Sequence, residues 1–240
     1  MSAKPTTAMV LAAGLGKRMR PLTETMPKPL IPVAGKTLLD WGLDTLGAAG
    51  VETAIVNVHY LGEQIIEHVK DRALPRIVIS DERAELLDSA GGIVRALPQI
   101  GTEPFFVLNA DTFWINGDSP DLDRLALAWD GEAMDILLML ADPRHATGHS
   151  GSIDFLLGQD GRLARANGAS EGFIYAGAAI IHPRIFEGAS ATPHSLNLYF
   201  DRAIGQGRLF GAVMRGHWIT VGTPDAIAPA EAAVARAKTQ

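Results

Sequence analysis

The stretch LAAGLGKRMRPLTETMPKPL, running from Leu11 to Leu30, decides how this chain is read. It grows out of AMVLAA (Ala8–Ala13), an apolar run of strand length that breaks at Gly14. The residues that follow are flexible and cationic: Gly14, Gly16, Lys17, Arg18 and Arg20. Pro21, Pro27, Pro29 and Pro32 are expected to hold the chain extended rather than helical, since each ring fixes its own φ and disfavours helix at the residue before it. A buried strand feeding a glycine-bearing basic loop suits phosphate binding. Backbone N–H groups can approach a polyanion where no Cβ intervenes, and the cations neutralise it.

The rest of the composition narrows the ligand. The formal net charge is −6 over 240 residues, so no general affinity for nucleic acid or an anionic membrane is expected. Residues 17–36 nevertheless hold Lys17, Arg18, Arg20, Lys28 and Lys36 with Glu24 as the only acid. A basic pocket on an acidic protein points to a small anion. There is no cysteine, which excludes disulfides, Cys-ligated zinc and a thiol nucleophile. The N-terminus MSAKPTTAMVLAAG makes a poor signal peptide because its apolar run ends in a basic loop. No apolar stretch approaches membrane-spanning length, and a cytoplasmic enzyme is the expectation.

Working outward, apolar runs alternate with helix-like segments through the first half. This is the pattern of a mostly parallel sheet flanked by helices, a Rossmann-like α/β arrangement. Strands are predicted at Ala8–Ala13, Thr53–Val58, Arg76–Ser80 and Phe105–Asn109. Helices are predicted over Thr37–Ala49, over Leu61–Val69, and from Ala90 to Leu97, the last capped by Ser89 and ended by Pro98. In the second half Asp135–Ala141 reads as a buried strand. Glycine-punctuated runs at Ser152–Leu157 and Phe173–His182 read as hairpins and an antiparallel extension over the sheet. Leu196–Gly205 reads as a helix, Leu209–Met214 as a strand and Pro224–Lys238 as a terminal helix. With no repeat period and no low-complexity linker, one domain with a small antiparallel lobe is expected over 1–240. Its first part would span about 1–115 and its second, with the lobe, about 116–240.

The loop is neither a dinucleotide fingerprint nor a P-loop. Met19 stands where the third glycine of GxGxxG would be, and the GxxxxGK[ST] spacing is absent. Instead, LAAGLGKRMRPLTETMPKPL and the following IPVAGKTLLD (Ile31–Asp40) resemble the signature of the sugar-1-phosphate nucleotidyltransferases, LAAGxGxRxxPLTxxxPKPLxPVxGKPLL, with Thr37 at a common proline. DSAGGI (Asp88–Ile93), NAD (Asn109–Asp111), YAGAAIIHP (Tyr175–Pro183) and GHWITVGTPDAI (Gly216–Ile227) continue the resemblance across nearly the whole chain.

The resemblance implies a GT-A-like nucleotidyltransferase fold. It implies attack by a sugar-1-phosphate oxygen on the α-phosphorus of a nucleoside triphosphate, with release of pyrophosphate. Both reactants are anions, so charge neutralisation and in-line alignment carry such a reaction. On that resemblance Arg18, Lys17 and the backbone of Gly14 and Gly16 hold the triphosphate, and Lys28 stabilises charge near the α-phosphorus. Leu11, Ala12 and Ala13 offer backbone to the base, with Glu82, Gly91 and Asn109 as further nucleotide contacts. Gly148 and Gly177 contact the sugar. Asp111, at the carboxyl end of a predicted strand, is the implied ligand to Mg2+. The family's second magnesium ligand is the aspartate of W-x-D-x-G-T; here Thr220 stands in its place, between Trp218 and Thr223. A neutral hydroxyl is a much weaker magnesium ligand than a carboxylate.

Within the family the length points to a short subgroup, and GHSGSIDFLLGQDGRLARA (Gly148–Ala166) favours uridylyl transfer to N-acetylmuramate 1-phosphate in peptidoglycan recycling. Guanylyl transfer to mannose 1-phosphate is the alternative. Thr220 leaves open a catalytically silent nucleotide-sugar binding protein. Of the histidines, only His149 is expected near the sugar.

Overall fold

The structure, a computed structural model, describes residues 4–239, so the first three residues of the N-terminal segment lie outside it. Along the chain, β1 (Thr7–Leu11) leads into the basic loop, followed by β2 (Pro32–Val33), β3 (Lys36–Thr37) and α1 (Leu38–Ala48). Next come β4 (Thr53–Val58), α2 (Gly62–Val69), β5 (Arg76–Asp81), α3 (Asp88–Ile100) and β6 (Phe105–Asn109). A short β7 (Thr112–Ile115), α4 (Asp121–Ala128), β8 (Ile136–Ala141) and β9 (Ala146–Thr147) follow. The remaining elements are β10 (Phe155–Leu157), β11 (Leu163–Arg165), β12 (Ile174–Ile181), α5 (Asn197–Gly205), β13 (Leu209–Val213), β14 (His217–Thr220) and α6 (Ile227–Ala237).

Seven strands form one sheet in the order β13-β8-β12-β6-β1-β4-β5. Its pairings are parallel except where β12 runs antiparallel between β6 and β8. The mostly parallel mixed sheet expected from the alternating pattern is thus present. Successive side chains of a strand point to opposite faces, and the core divides accordingly. Val10, Val56 and Leu108 pack on one face with Leu39 and Leu43 of α1, Ile65 of α2 and Leu122 of α4. Met9, Ile55 and Val107 pack on the other with Ile93 of α3 and Phe200 of α5. With both faces covered, the strands read as continuous apolar runs.

A third cluster bears on the loop. Met19 and Ile31, fully or almost fully buried, pack with Phe113, Ile219 and Val221 and with Ala230, Ala233 and Val234 of α6. The terminal helix therefore clamps the apolar half of the basic loop. Thr37 has a local role as well: its hydroxyl accepts the Asp40 N–H at 3.0 Å and caps α1.

Several expectations are corrected. The prolines do not leave the loop extended throughout; it folds as three short 3-10 turns, Lys17–Met19, Leu22–Glu24 and Lys28–Leu30, with extended residues between them. Each turn needs only one i to i+3 bond, which proline at the first or second position does not prevent. Helix α3 begins at Asp88 with Leu87 at the cap, while the Ser89 hydroxyl instead accepts the Leu196 N–H at 2.9 Å. The helix also runs past Pro98 to Ile100, whose burial in the core offsets the bond that proline forfeits. The strand at Ile174–Ile181 lies in the main sheet rather than over it, between β8 and β6, while Ile136–Ala141 and Leu209–Val213 are strands as expected. Small separate pairings are β10–β11 and β7–β14, both antiparallel, with β9 alongside β14.

Candidate active site

In open α/β sheets ligands bind beyond the carboxyl ends of the strands, and here one cavity of about 440 Å³ spans four of those ends. Reading across the sheet, its lining comes from Leu86, Asp88 and Ser89 after β5, Asn57 of β4, Leu11–Gly14 at β1, and Asn109–Asp111 at β6. Lys28 and Pro29 of the basic loop complete it. The basic loop and the strand-end aspartate, 83 residues apart in sequence, therefore share one pocket.

Lys28 Nζ lies 2.6 Å from Asp111 Oδ2. Pro27, at φ −68, introduces the turn that carries Lys28, and the Lys28 carbonyl accepts the Ile31 N–H at 3.1 Å. Asp111 is held from both sides of the sheet edge: Ala110 N–H donates to the Leu11 carbonyl, and the Asp111 carbonyl accepts the Val221 N–H, each at 3.1 Å. The lysine side chain is 12% exposed and the carboxylate 34%, so the lysine is largely enclosed while the acid faces the cavity. Lys17, Arg18 and Gly14 are exposed at the turn of the loop. The Arg18 guanidinium stands beside Gly222, just beyond β14. Gly16, in the left-handed region at φ +60, brings the limb that bears Lys17 against the Cβ of Lys28.

Two expected contacts prove to be one layer removed. Glu82 is 1% exposed and does not line the cavity. Its Oε1 accepts Asn57 Nδ2 at 2.7 Å and its Oε2 the Leu87 N–H at 3.3 Å. Asn57 in turn accepts the Ala12 N–H at 2.6 Å through Oδ1. The expected backbone contact at Ala12 thus has its N–H already engaged. Burial pushes the Glu82 carboxyl above its ordinary pKa, opposed by these hydrogen bonds. Gly91 lies away from the cavity: a Cβ there would meet the Thr192 carbonyl oxygen at 2.2 Å, so the residue admits the 192–194 segment rather than a nucleotide.

Sequence reasoning missed Asn57, Leu86, Asp88 and Ser89. Asn57 left a signal, being the one amide in the run TAIVNV. An Asn57→Ala variant removes the acceptor for Ala12 and leaves the Glu82 carboxylate short of a partner. We expect it to lose about 1–3 kcal/mol of stability and to bind nucleotide more weakly, read by thermal melting and by calorimetric titration.

On the other side of Asn109, Gly177 has φ +77 and marks the register shift of β12 between Tyr175 and Ala179. A Cβ there would meet Thr112 Oγ1 at 2.5 Å and the Asn109 side chain at 3.2 Å. Gly148 backs onto the Thr220 carbonyl, next to His149, whose ring lies 5.7 Å from that of Trp218. Trp218 anchors this lobe by donating Nε1–H to the Ala176 carbonyl at 2.9 Å. Thr220 pairs with Thr112 across β14 and β7, which sets it opposite the residue that follows Asp111.

A model of the MobA-like NTP transferase domain matches residues 8–210. The chain is 45% identical over 243 residues to an N-acetylmuramate alpha-1-phosphate uridylyltransferase of Caulobacter vibrioides, covering 99% of this chain and 100% of that protein. A mannose-1-phosphate guanyltransferase beta-B of Xenopus laevis is 29% identical over 229 residues, spanning 90% of this chain but 61% of that protein. Among solved structures, the inositol-1-phosphate CTP transferase from T. maritima superposes with a TM-score of 0.75 over 94% of this chain and 93% of that one. At 18% identity that likeness speaks for the fold alone. No helix among the described residues is long and apolar enough to cross a membrane. With the domain model spanning most of the sheet and both limbs of the cavity, the chain belongs to the MobA-like NTP transferase domain family.

Proposed function

We propose that this chain transfers a uridylyl group from UTP to N-acetylmuramate 1-phosphate, releasing pyrophosphate. The observation that carries the chemistry is the Lys28–Asp111 pair in a cavity at the carboxyl ends of the strands. The 45% identity over the whole length of the Caulobacter uridylyltransferase supports the choice of substrates over the guanylyl alternative, whose relative stands at 29% and extends well beyond this chain. On this reading the chain is one nucleotidyltransferase domain, its nucleotide part about 1–115 and its sugar part about 116–240.

The residues divide the work along the sheet. The base and ribose occupy the β5–β4 side, against Leu11 and Leu86. The triphosphate turns past Gly14 towards Lys17 and Arg18, which neutralise its outer phosphates. Lys28 leaves Asp111 for the α-phosphate and stabilises the charge that builds there as the sugar-phosphate oxygen attacks. The sugar lies beyond Asn109, where Gly177 keeps the floor clear of a side chain and Gly148 and His149 close the outer wall.

The donor set suits a lightly held magnesium ion. Among the described residues no cluster of three His, Asp or Glu side chains is poised to bind a metal by itself. Asp111 offers one accessible carboxylate, and the Thr220 hydroxyl is a weak neighbour. Magnesium at phosphoryl-transfer sites commonly takes one or two carboxylates and completes its shell with phosphate oxygens and water. When bound, it would supply charge neutralisation and alignment of the phosphates.

A thermal-shift panel tests the reading. Raising ligand to one hundred times Kd stabilises a protein by about 2.7 kcal/mol, so UTP is expected to raise Tm by several degrees and GTP by much less. Equal or larger shifts with GTP would overturn the base assignment. Thr220→Asp restores a second carboxylate and is expected to lower the magnesium concentration needed for half-maximal turnover; an unchanged requirement would count against the metal site described.

A further inference from the structure

Asp88 is the one acidic side chain lining the β5–β4 side of the cavity, away from Asp111. It is exposed, and its backbone is in the left-handed region at φ +60. Left-handed backbone is uncommon outside glycine, though aspartate tolerates it better than most residues. Strained positions of this kind cluster where a side chain must be aimed at a ligand. One carboxylate oxygen, Oδ1, accepts the Ser89 N–H at 2.6 Å. No other hydrogen bond to the carboxylate is found among the described residues. A simple helix cap needs neither the left-handed backbone nor a place on the cavity wall.

The cations of the site, Lys28 together with the loop bearing Lys17 and Arg18, belong to β1 and the β6 side. An anion at Asp88 would repel phosphate, so the group it faces must be a hydrogen-bond donor. A nucleoside laid across the strand ends, its base against Leu11 and Leu86 and its phosphates turning at Gly14, offers donors of two kinds there: the ring N–H of the base, and the adjacent pair of ribose 2′- and 3′-hydroxyls, which match the two oxygens of one carboxylate. A carboxylate that only accepts is matched to that diol.

We propose that Asp88 is a specificity-determining residue that accepts hydrogen bonds from the ribose hydroxyls and selects ribonucleoside over 2′-deoxyribonucleoside triphosphates. The proposal rests on nucleoside triphosphate binding at this cavity as set out above.

Calorimetric titration of the intact protein with UTP, dUTP, GTP and dGTP tests it, without sugar phosphate. A hydrogen bond to a charged group is worth about tenfold or somewhat more in affinity. The wild-type protein is therefore expected to favour UTP over dUTP by at least about tenfold. Asp88→Gly suits the left-handed backbone, so its Tm should hold, and its UTP to dUTP ratio should fall to about one or two. Asp88→Asn, which keeps an acceptor oxygen and tolerates the same backbone, should fall in between and secures the result if the glycine variant misfolds. Equal affinity of the wild type for UTP and dUTP overturns the inference and leaves the proposed activity standing. So does an unchanged ratio in the variants, or a change confined to the UTP to GTP ratio, which would assign Asp88 to the base. Failure of all four nucleotides to bind the wild-type protein overturns the activity itself.

Discussion

Asp111→Ala is expected to lower turnover by about a thousandfold or more, while the protein melts within a few degrees of wild type. On the proposed function the loss is large because this carboxylate, beside Lys28, would be the charged ligand to a divalent cation at the phosphates, and such a cation contributes several kcal/mol of transition-state stabilisation. The fold survives because the ion pair with Lys28 is partly exposed on the acid's side, where pairs of this kind contribute only about 0–1 kcal/mol. Asp111→Asn separates two roles. It can still accept the Lys28 ammonium but lacks the charge that would draw the metal, so it should fall nearly as far as the alanine variant. Binding of Mn2+ in the presence of UTP, followed by electron paramagnetic resonance, should weaken in both. Activity within tenfold of wild type in Asp111→Asn would remove Asp111 from the metal site.

Lys28→Ala is the second large effect. Removing one preorganised donor aimed at developing charge costs about a hundredfold to a thousandfold in kcat, or about 3–4 kcal/mol. The two limbs of the loop and the flanking prolines hold this lysine where a free surface lysine would wander. The expected signature is a fall in kcat with a smaller rise in KM for UTP, because on the proposed function Lys17 and Arg18 would still meet the outer phosphates. Lys28→Arg keeps the charge but replaces a compact ammonium with a wider planar fork, and should recover only part of the rate. Steady-state kinetics of both variants at saturating magnesium make the comparison. A rise in KM alone, with kcat intact, would move Lys28 from the reacting phosphate to ground-state binding.

What was legible in the sequence follows from which signals are local. The strands at Thr53–Val58 and Phe105–Asn109 could be bounded to the residue because both are buried on two faces and read as mostly apolar runs. Asp111 could be singled out because it closes such a run. The start of α3 was not legible: a left-handed aspartate in front of serine looks like an ordinary serine cap, and only the tertiary contact from Ser89 to Leu196 shows otherwise. Pro98 misled for a related reason, since the packing of Ile100 that carries the helix past it is non-local. The placing of β12 in the main sheet could not be told from glycine spacing, because strand order is decided by pairing partners far apart in the chain. Glu82 and Gly91 were expected to touch nucleotide, but Glu82 is buried behind the lining residue Asn57 and Gly91 packs against the 192–194 segment. Burial, which separates a lining residue from a buttress, is a property of the fold rather than of spacing.

Pyrophosphate release by the purified protein, supplied with UTP and N-acetylmuramate 1-phosphate across a magnesium titration, tests the central claim most directly. Release that depends on both substrates and on magnesium, and that collapses in Asp111→Ala, is the expected result. Binding of UTP with no pyrophosphate formed at any magnesium concentration, from any sugar 1-phosphate, would contradict it and mark the protein as a nucleotide-sugar binder whose Thr220 records the loss of catalysis.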